Sequence, residues 1–117
     1  MSLLPFDQKE GYLWLNGEAV VWKDAAIHPL THGLHYASSV FEGVRIYNGK
    51  AFLLTEHIER LHQSAKILGF ELPYSTDDII TATHDLLTKA PIDVGYIRHF
   101  AWRGSERLRI YAPDTST

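Results

Sequence analysis

Phe41, Gly43, Arg45 and Tyr47 alternate with Glu42, Val44 and Ile46, and the run ends on Asn48-Gly49. A period of two puts the first four on one face of a strand and the other three on the opposite face. Asn-Gly suits a two-residue hairpin loop, because both positions tolerate positive φ. The chain is thereby committed to an antiparallel pairing at its middle, with the return strand expected over residues 51–54. The two faces are unlike. Val44 and Ile46 ask for a core, with Glu42 the odd member among them. The other face sets a glycine and an arginine between two aromatics. Gly43 weakens a strand by about 0.5–1 kcal/mol relative to alanine. In a strand interior it marks either a bulge or tight crossing, or the close approach of a ligand or another backbone; spacing leaves both open.

The flanking sequence supplies the remaining elements. Residues 1–10 read as a lead-in. Residues 11–22 read as two short strands around Asn16-Gly17. Residues 23–38 hold no sustained period and contain Pro29 and Gly33, so a loop with one helical turn is expected. Thr55 is placed to cap a helix whose apolar stripe is Ile58, Leu61, Ala65 and Leu68, with Glu56 in the first turn and Gly69 as the stop. After Pro73, Ser75 and Asp78 have the spacing of a reciprocal helix cap, and Ile79, Thr83, Leu86 and Ala90 share one face of the helix that follows. Residues 94–104 alternate again, with Tyr96, Arg98, Phe100 and Trp102 opposite Ile97, His99, Ala101 and Arg103. A last short strand is expected over residues 107–112. The order predicts an α+β fold: a mostly antiparallel sheet with two helices packed on one side. The body of the domain is read as residues 11–112, and residues 113–117 as the start of a connection to something further.

Composition bounds the function classes. One domain suits 117 residues, and 45% hydrophobic with 21% charged residues is ordinary for a globular chain. A formal charge of −3 gives no basic footprint for nucleic acid. No apolar run approaches the roughly 20 residues of a membrane helix. Cysteine is absent, which removes disulfides and thiolate metal sites and, with no leader pattern, favours a cytoplasmic home.

Several side chains can carry chemistry. Arg98 lies two residues from Tyr96 on one face, a pairing able to grip a carboxylate through two parallel hydrogen bonds and a third from the phenol. The competing reading is an internal salt bridge from Arg98 to Glu42. Arg60 either pairs with Glu56 one helical turn away or binds an anion such as phosphate. His28, His32 and His35 cluster, but Pro29 and Gly33 spoil any helical register and no acid or cysteine joins them closely. Loop-fixing backbone hydrogen bonds are the expectation, and no metal site is assigned. No phosphate loop, dinucleotide fingerprint or serine-hydrolase elbow is present.

Taken together, "LTHGLHYASSVFEGVRIYNGKAFLLTEHIERLHQSAKILGF" and "GYIRHFAWRGSE" resemble the N-terminal small domain of branched-chain amino acid aminotransferases. These are fold-type IV pyridoxal-phosphate enzymes of the class IV aminotransferases. The resemblance runs from about Tyr12 to Glu106. It implies that Arg60 binds the cofactor phosphate. It implies that Tyr96 and Arg98 surround the substrate carboxylate and side-chain pocket, that Phe41 and Gly43 form pocket wall with Arg45 near it, and that Tyr36 reaches across a homodimer interface. It implies transfer of an amino group from L-leucine, L-isoleucine or L-valine to 2-oxoglutarate. The cofactor-bearing lysine is expected in a large domain beyond Thr117, so the chain alone is expected to be inactive and not to retain the cofactor. Two departures stand out: Arg109 where glycine is usual, which bears on specificity, and His99 where proline is more usual. D-amino-acid transaminase and aminodeoxychorismate lyase share the fold and remain alternatives. So do a stand-alone binding module built on the histidine cluster and a structural domain in which Arg98 and Arg60 are both consumed by internal acids.

Overall fold

A computed structural model describes residues 3–117; the first two residues of the expected lead-in lie outside it. The first hairpin forms around Asn16-Gly17, pairing β1 (Tyr12–Leu15) with β2 (Glu18–Val21). A five-residue helix α1 (His32–Tyr36) interrupts the loop that follows and ends at Ala37, whose φ is +55°. The second sheet has strand order β4-β3-β5, with β3 (Ser39–Tyr47) in the centre, β4 (Lys50–Ala51) on one side and β5 (Gly95–Trp102) on the other. All pairings are antiparallel, and β3 and β5 run in unbroken register from Ser39↔Trp102 to Ile46↔Gly95.

Helices α2 (Leu54–Ile67) and α3 (Thr76–Lys89) cover one face of this sheet. Val44 and Ile46 of β3 are fully enclosed, and Val40 is buried with them. Val40 packs with Leu61, Ala65 and Phe70, and Val44 with Leu54, Ile58 and Ile79. The core is therefore a seam between the even-numbered side of β3 and the inward stripe of α2, extended by α3. The first hairpin attaches through α3 and through an edge-on contact of Trp14 with Tyr74. The α+β architecture with two helices on one side is the one the sequence predicts. Among the described residues no helix is long and apolar enough to cross a membrane.

Four local expectations are corrected. The return strand is Lys50–Ala51 rather than 51–54, because Leu54 is drawn into the core and opens a helix there. Thr55 does not cap α2: the preceding residue is Leu53, at φ +53°, and no side chain caps that end. Leu68 is half exposed rather than part of the buried stripe, since α2 ends just before it and Gly69 turns the chain at φ +84°. No strand forms over 107–112. That segment is instead drawn back across the fold, where Arg103 donates from Nη1 to Ala112 O (3.0 Å) and from Nη2 to Gly69 O (2.7 Å). By contrast, Ser75 and Asp78 form the expected reciprocal cap of α3.

Candidate functional site

The face of the sheet away from the helices is built by the alternation of β3 and β5. In the register, Phe41 faces Phe100, Gly43 faces Arg98 and Arg45 faces Tyr96. Phe41, Phe100, Tyr47 and Tyr96 are all about half exposed or more, so this is an open aromatic surface rather than a second core. Tyr96 leans diagonally over Gly43. A Cβ at that position would meet the phenol oxygen at 2.7 Å and ring carbon Cε2 at 2.8 Å. The glycine thus makes room for the close crossing of a side chain, one of the alternatives its spacing left open; a larger residue would have to displace the Tyr96 ring.

Arg98 caps this arrangement. Its Nε donates to Tyr96 Oη at 3.1 Å, and its guanidinium lies 4.6 Å from the centre of the Phe41 ring and 5.6 Å from that of Tyr96. Because the phenol oxygen accepts this bond, its own O–H remains available as a donor. Four guanidinium N–H groups remain as well. The geometry presents a fixed cation and a hydroxyl side by side on an apolar floor, the chemistry that grips a carboxylate. Among the described residues Arg98 makes no salt bridge, so the internal pairing with Glu42 does not form; the two lie on opposite faces of the sheet. Arg45 stands on the same open face, 5.7 Å from the centre of the Tyr47 ring.

Glu42 is engaged on the helix side. It is only 4% exposed, and three hydrogen bonds converge on it: from Arg60 Nε to Oε2 (2.8 Å), from Arg60 Nη2 to Oε1 (2.7 Å) and from His57 Nδ1 to Oε1 (2.7 Å). The Arg60 hydrogen bonds above all, with help from His57, hold the Glu42 carboxyl below the usual range against the opposing effect of burial. Arg60 therefore pairs with Glu42 rather than with Glu56. Its side chain is nevertheless 65% exposed, and Nη1 has no partner among the described residues. Behind this group, His99 Nε2 lies 2.8 Å from Thr83 Oγ1. That hydroxyl already donates to Ile79 O (2.7 Å), so it accepts from His99 Nε2–H. The tautomer leaves His99 Nδ1 as a buried acceptor with no partner. Burial, and the nearby His57 less strongly, push the His99 pKa down to about 4 despite the opposing charge of Glu42.

The other candidates are placed separately. Tyr36 ends α1, with its ring 4.7 Å from that of His32. The three loop histidines make the backbone bonds expected of them. His28 Nδ1 accepts from Leu30 N, His35 Nε2 donates to Pro29 O, and buried His32 donates from Nε2 to Arg109 O at 2.7 Å. Among the described residues no group of three histidine or acidic side chains is arranged to hold a metal ion. Of the seven proposed site residues, the fold thus gathers five on the open face of β3 and β5, while Arg60 lies on α2 on the helix side and Tyr36 ends α1. The internal-acid alternative is met for Arg60 but not for Arg98; sequence reasoning did not name Glu42 as the partner of Arg60 or bring His57 into the group, although Glu42 stood out as an acid on an apolar face.

Comparison with known proteins gives these features a context. The family model described as amino-transferase class IV matches residues 39–117. A probable branched-chain-amino-acid aminotransferase of Rickettsia bellii is 52% identical over 106 residues, covering 91% of this chain and 37% of that protein. The branched-chain-amino-acid aminotransferase of Escherichia coli strain K12 is 39% identical over 110 residues, covering 91% of this chain and 36% of that one. The crystal structure of the Escherichia coli enzyme superposes with a TM-score of 0.85, again over 91% of this chain and 36% of the other. An aminotransferase from Brucella abortus, bound to the cofactor PLP, superposes with a TM-score of 0.73 at 28% identity, over 82% of this chain and 35% of that one. The chain therefore spans well under half the length of the relatives it matches.

Proposed function

The chain belongs to the class IV aminotransferases, and from that premise we propose that it is the small-domain portion of a pyridoxal-phosphate-dependent branched-chain amino acid transaminase. The complete enzyme would move the amino group of L-leucine, L-isoleucine or L-valine to 2-oxoglutarate. The observation that carries this reading is the Arg98–Tyr96 pair over Gly43. A guanidinium and a free phenolic hydrogen beside the Phe41 ring suit a substrate with a carboxylate at one end and an apolar side chain at the other. In this proposal Arg98 and Tyr96 orient the carboxylate, Phe41 and Gly43 line the side-chain pocket, and Arg45 stands at its edge. Tyr36 is proposed to act across a homodimer interface.

Arg60 is proposed to hold the cofactor phosphate. The residue suits an oxyanion: Glu42 takes two of its five N–H donors, three remain, and the side chain is largely exposed. Pyridoxal phosphate, when bound, supplies the electron sink that such a reaction requires. The 117 residues alone are proposed to be inactive and to lack lasting hold on the cofactor, since they make up only 35–38% of the solved relatives they match. A cytoplasmic location belongs to the same proposal. The test is a transamination assay of the complete enzyme with L-leucine and D-alanine as rival amino donors and 2-oxoglutarate as acceptor. Turnover of L-leucine is expected. Activity confined to the D-isomer would replace this reading with that of a D-amino-acid transaminase.

A further inference from the structure

We infer that Glu42 is a positioning residue for anion recognition, holding the Arg60 guanidinium in the orientation in which it meets the cofactor phosphate. The inference rests on the reading of Arg60 given above and extends it to a residue on a different element. Glu42 occupies a place that packing alone would fill with an aliphatic side chain. Its neighbours on the same face of β3 are Val40, Val44 and Ile46, all buried. Burying the Glu42 carboxylate costs desolvation that an aliphatic side chain would not, and its partner Arg60 stays largely in water, so packing alone gives no reason for an acid here. The pair is also asymmetric. Glu42 is 4% exposed while the Arg60 side chain is 65% exposed, so the acid is the fixed member and the arginine the presented one.

Geometry makes the restraint specific. Two parallel bonds, from Nε to Oε2 and from Nη2 to Oε1, fix both the plane and the direction of the guanidinium. His57 fixes the carboxylate in turn through Oε1. An unrestrained arginine loses rotamer freedom when it meets a phosphate, and pre-orientation removes that cost before binding. The restraint arises from β3, whose residues on either side, Phe41 and Gly43, belong to the open face. The anion-binding arginine on α2 is thereby keyed to the same strand that carries the amino-acid surface.

The test compares pyridoxal phosphate with pyridoxal, which lacks the phosphate, as ligands of the complete enzyme. Equilibrium affinities are measured by titration for wild type, Arg60→Lys, Glu42→Gln and the double variant. Arg60→Lys keeps a cation beside Glu42 and removes the fork. Glu42→Gln is expected to weaken pyridoxal phosphate roughly five- to tenfold while leaving pyridoxal within about twofold. The double variant is expected to lose no more than Arg60→Lys alone. Equal losses for both ligands would make Glu42 a scaffold residue and overturn the inference. An Arg60→Lys protein that keeps its full preference for the phosphorylated ligand would remove Arg60 from the phosphate site, and the inference would fall with it. An Arg60-dependent preference that Glu42→Gln leaves intact would overturn the inference alone. If Glu42→Gln does not fold, Glu42→Asp withdraws the carboxylate from Arg60 and must show the same selective loss.

Discussion

Replacing His99 by glutamine should remove most of the acid sensitivity of the fold between about pH 8 and about pH 5. The buried ring titrates at about 4 in the folded chain and at the ordinary 6.5 when unfolded. A folded pKa below the unfolded one means that the unfolded chain binds the proton first, so stability is complete above 6.5 and is lost as the pH falls towards 4. The full separation corresponds to about 3 kcal/mol, of which about 2 kcal/mol appears by about pH 5. Glutamine is the informative replacement because its side-chain amide can still donate to Thr83 Oγ1, while nothing remains at the position to titrate. Glu42 also carries a lowered pKa, but its contribution is lost mainly as the pH falls from the ordinary carboxylate value towards its lowered folded one, largely below about pH 5, and it is common to both proteins. Urea unfolding at a series of pH values measures the effect directly. The two stability curves should diverge by about 2 kcal/mol on going from about pH 8 to about pH 5, with wild type the steeper. Parallel curves would show that His99 does not remain neutral in the folded chain, and the account of its buried, unpartnered Nδ1 would be wrong.

Three further substitutions test other parts of the structure. Ile58→Ala empties a fully enclosed site between α2 and β3 and should cost about 2–5 kcal/mol by chemical denaturation. Ser75→Ala removes one half of the reciprocal cap of α3 and should cost about 1 kcal/mol in the same measurement. Gly43→Ala puts a methyl group 2.7 Å from Tyr96 Oη, which must swing away from Arg98. The KM of the complete enzyme for L-leucine should then rise roughly tenfold with pyridoxal phosphate affinity unchanged, and an unaltered KM would remove the Tyr96–Arg98 pair from substrate binding.

How far the fold can be read from the sequence depends on the range of the forces involved. The alternation in β3 and β5, the two Asn-Gly turns and the Ser75–Asp78 cap act between near neighbours along the chain, and each forms where its pattern lies. The start of α2 does not follow its local signal. Burial of Leu54 outweighs the capping tendency of Thr55 and holds Leu53 in a left-handed conformation. The expected strand over 107–112 gives way to long-range ties: Arg103 reaches back to Gly69 O, and His32 reaches forward to Arg109 O. Likewise the pairing of Arg98 with Tyr96 is a same-face contact two residues apart, visible in the alternation. The pairing of Arg60 with Glu42 spans 18 residues and two elements, and no periodicity announces it.

The central strand does two jobs with alternate side chains, which constrains the changes it can tolerate. Inserting or deleting one residue in the middle of 39–47 would reverse the facing of every side chain on one side of the change, for example turning Val44 and Ile46 out to water and Arg45 in towards α2. Such a change would damage the packing and the proposed ligand-facing surface together. Divergence along this ribbon is therefore confined to one-for-one exchanges. On the proposed reading of the open face, a reshaped substrate preference would arise by altering odd-numbered positions while the even-numbered ones keep the protein folded.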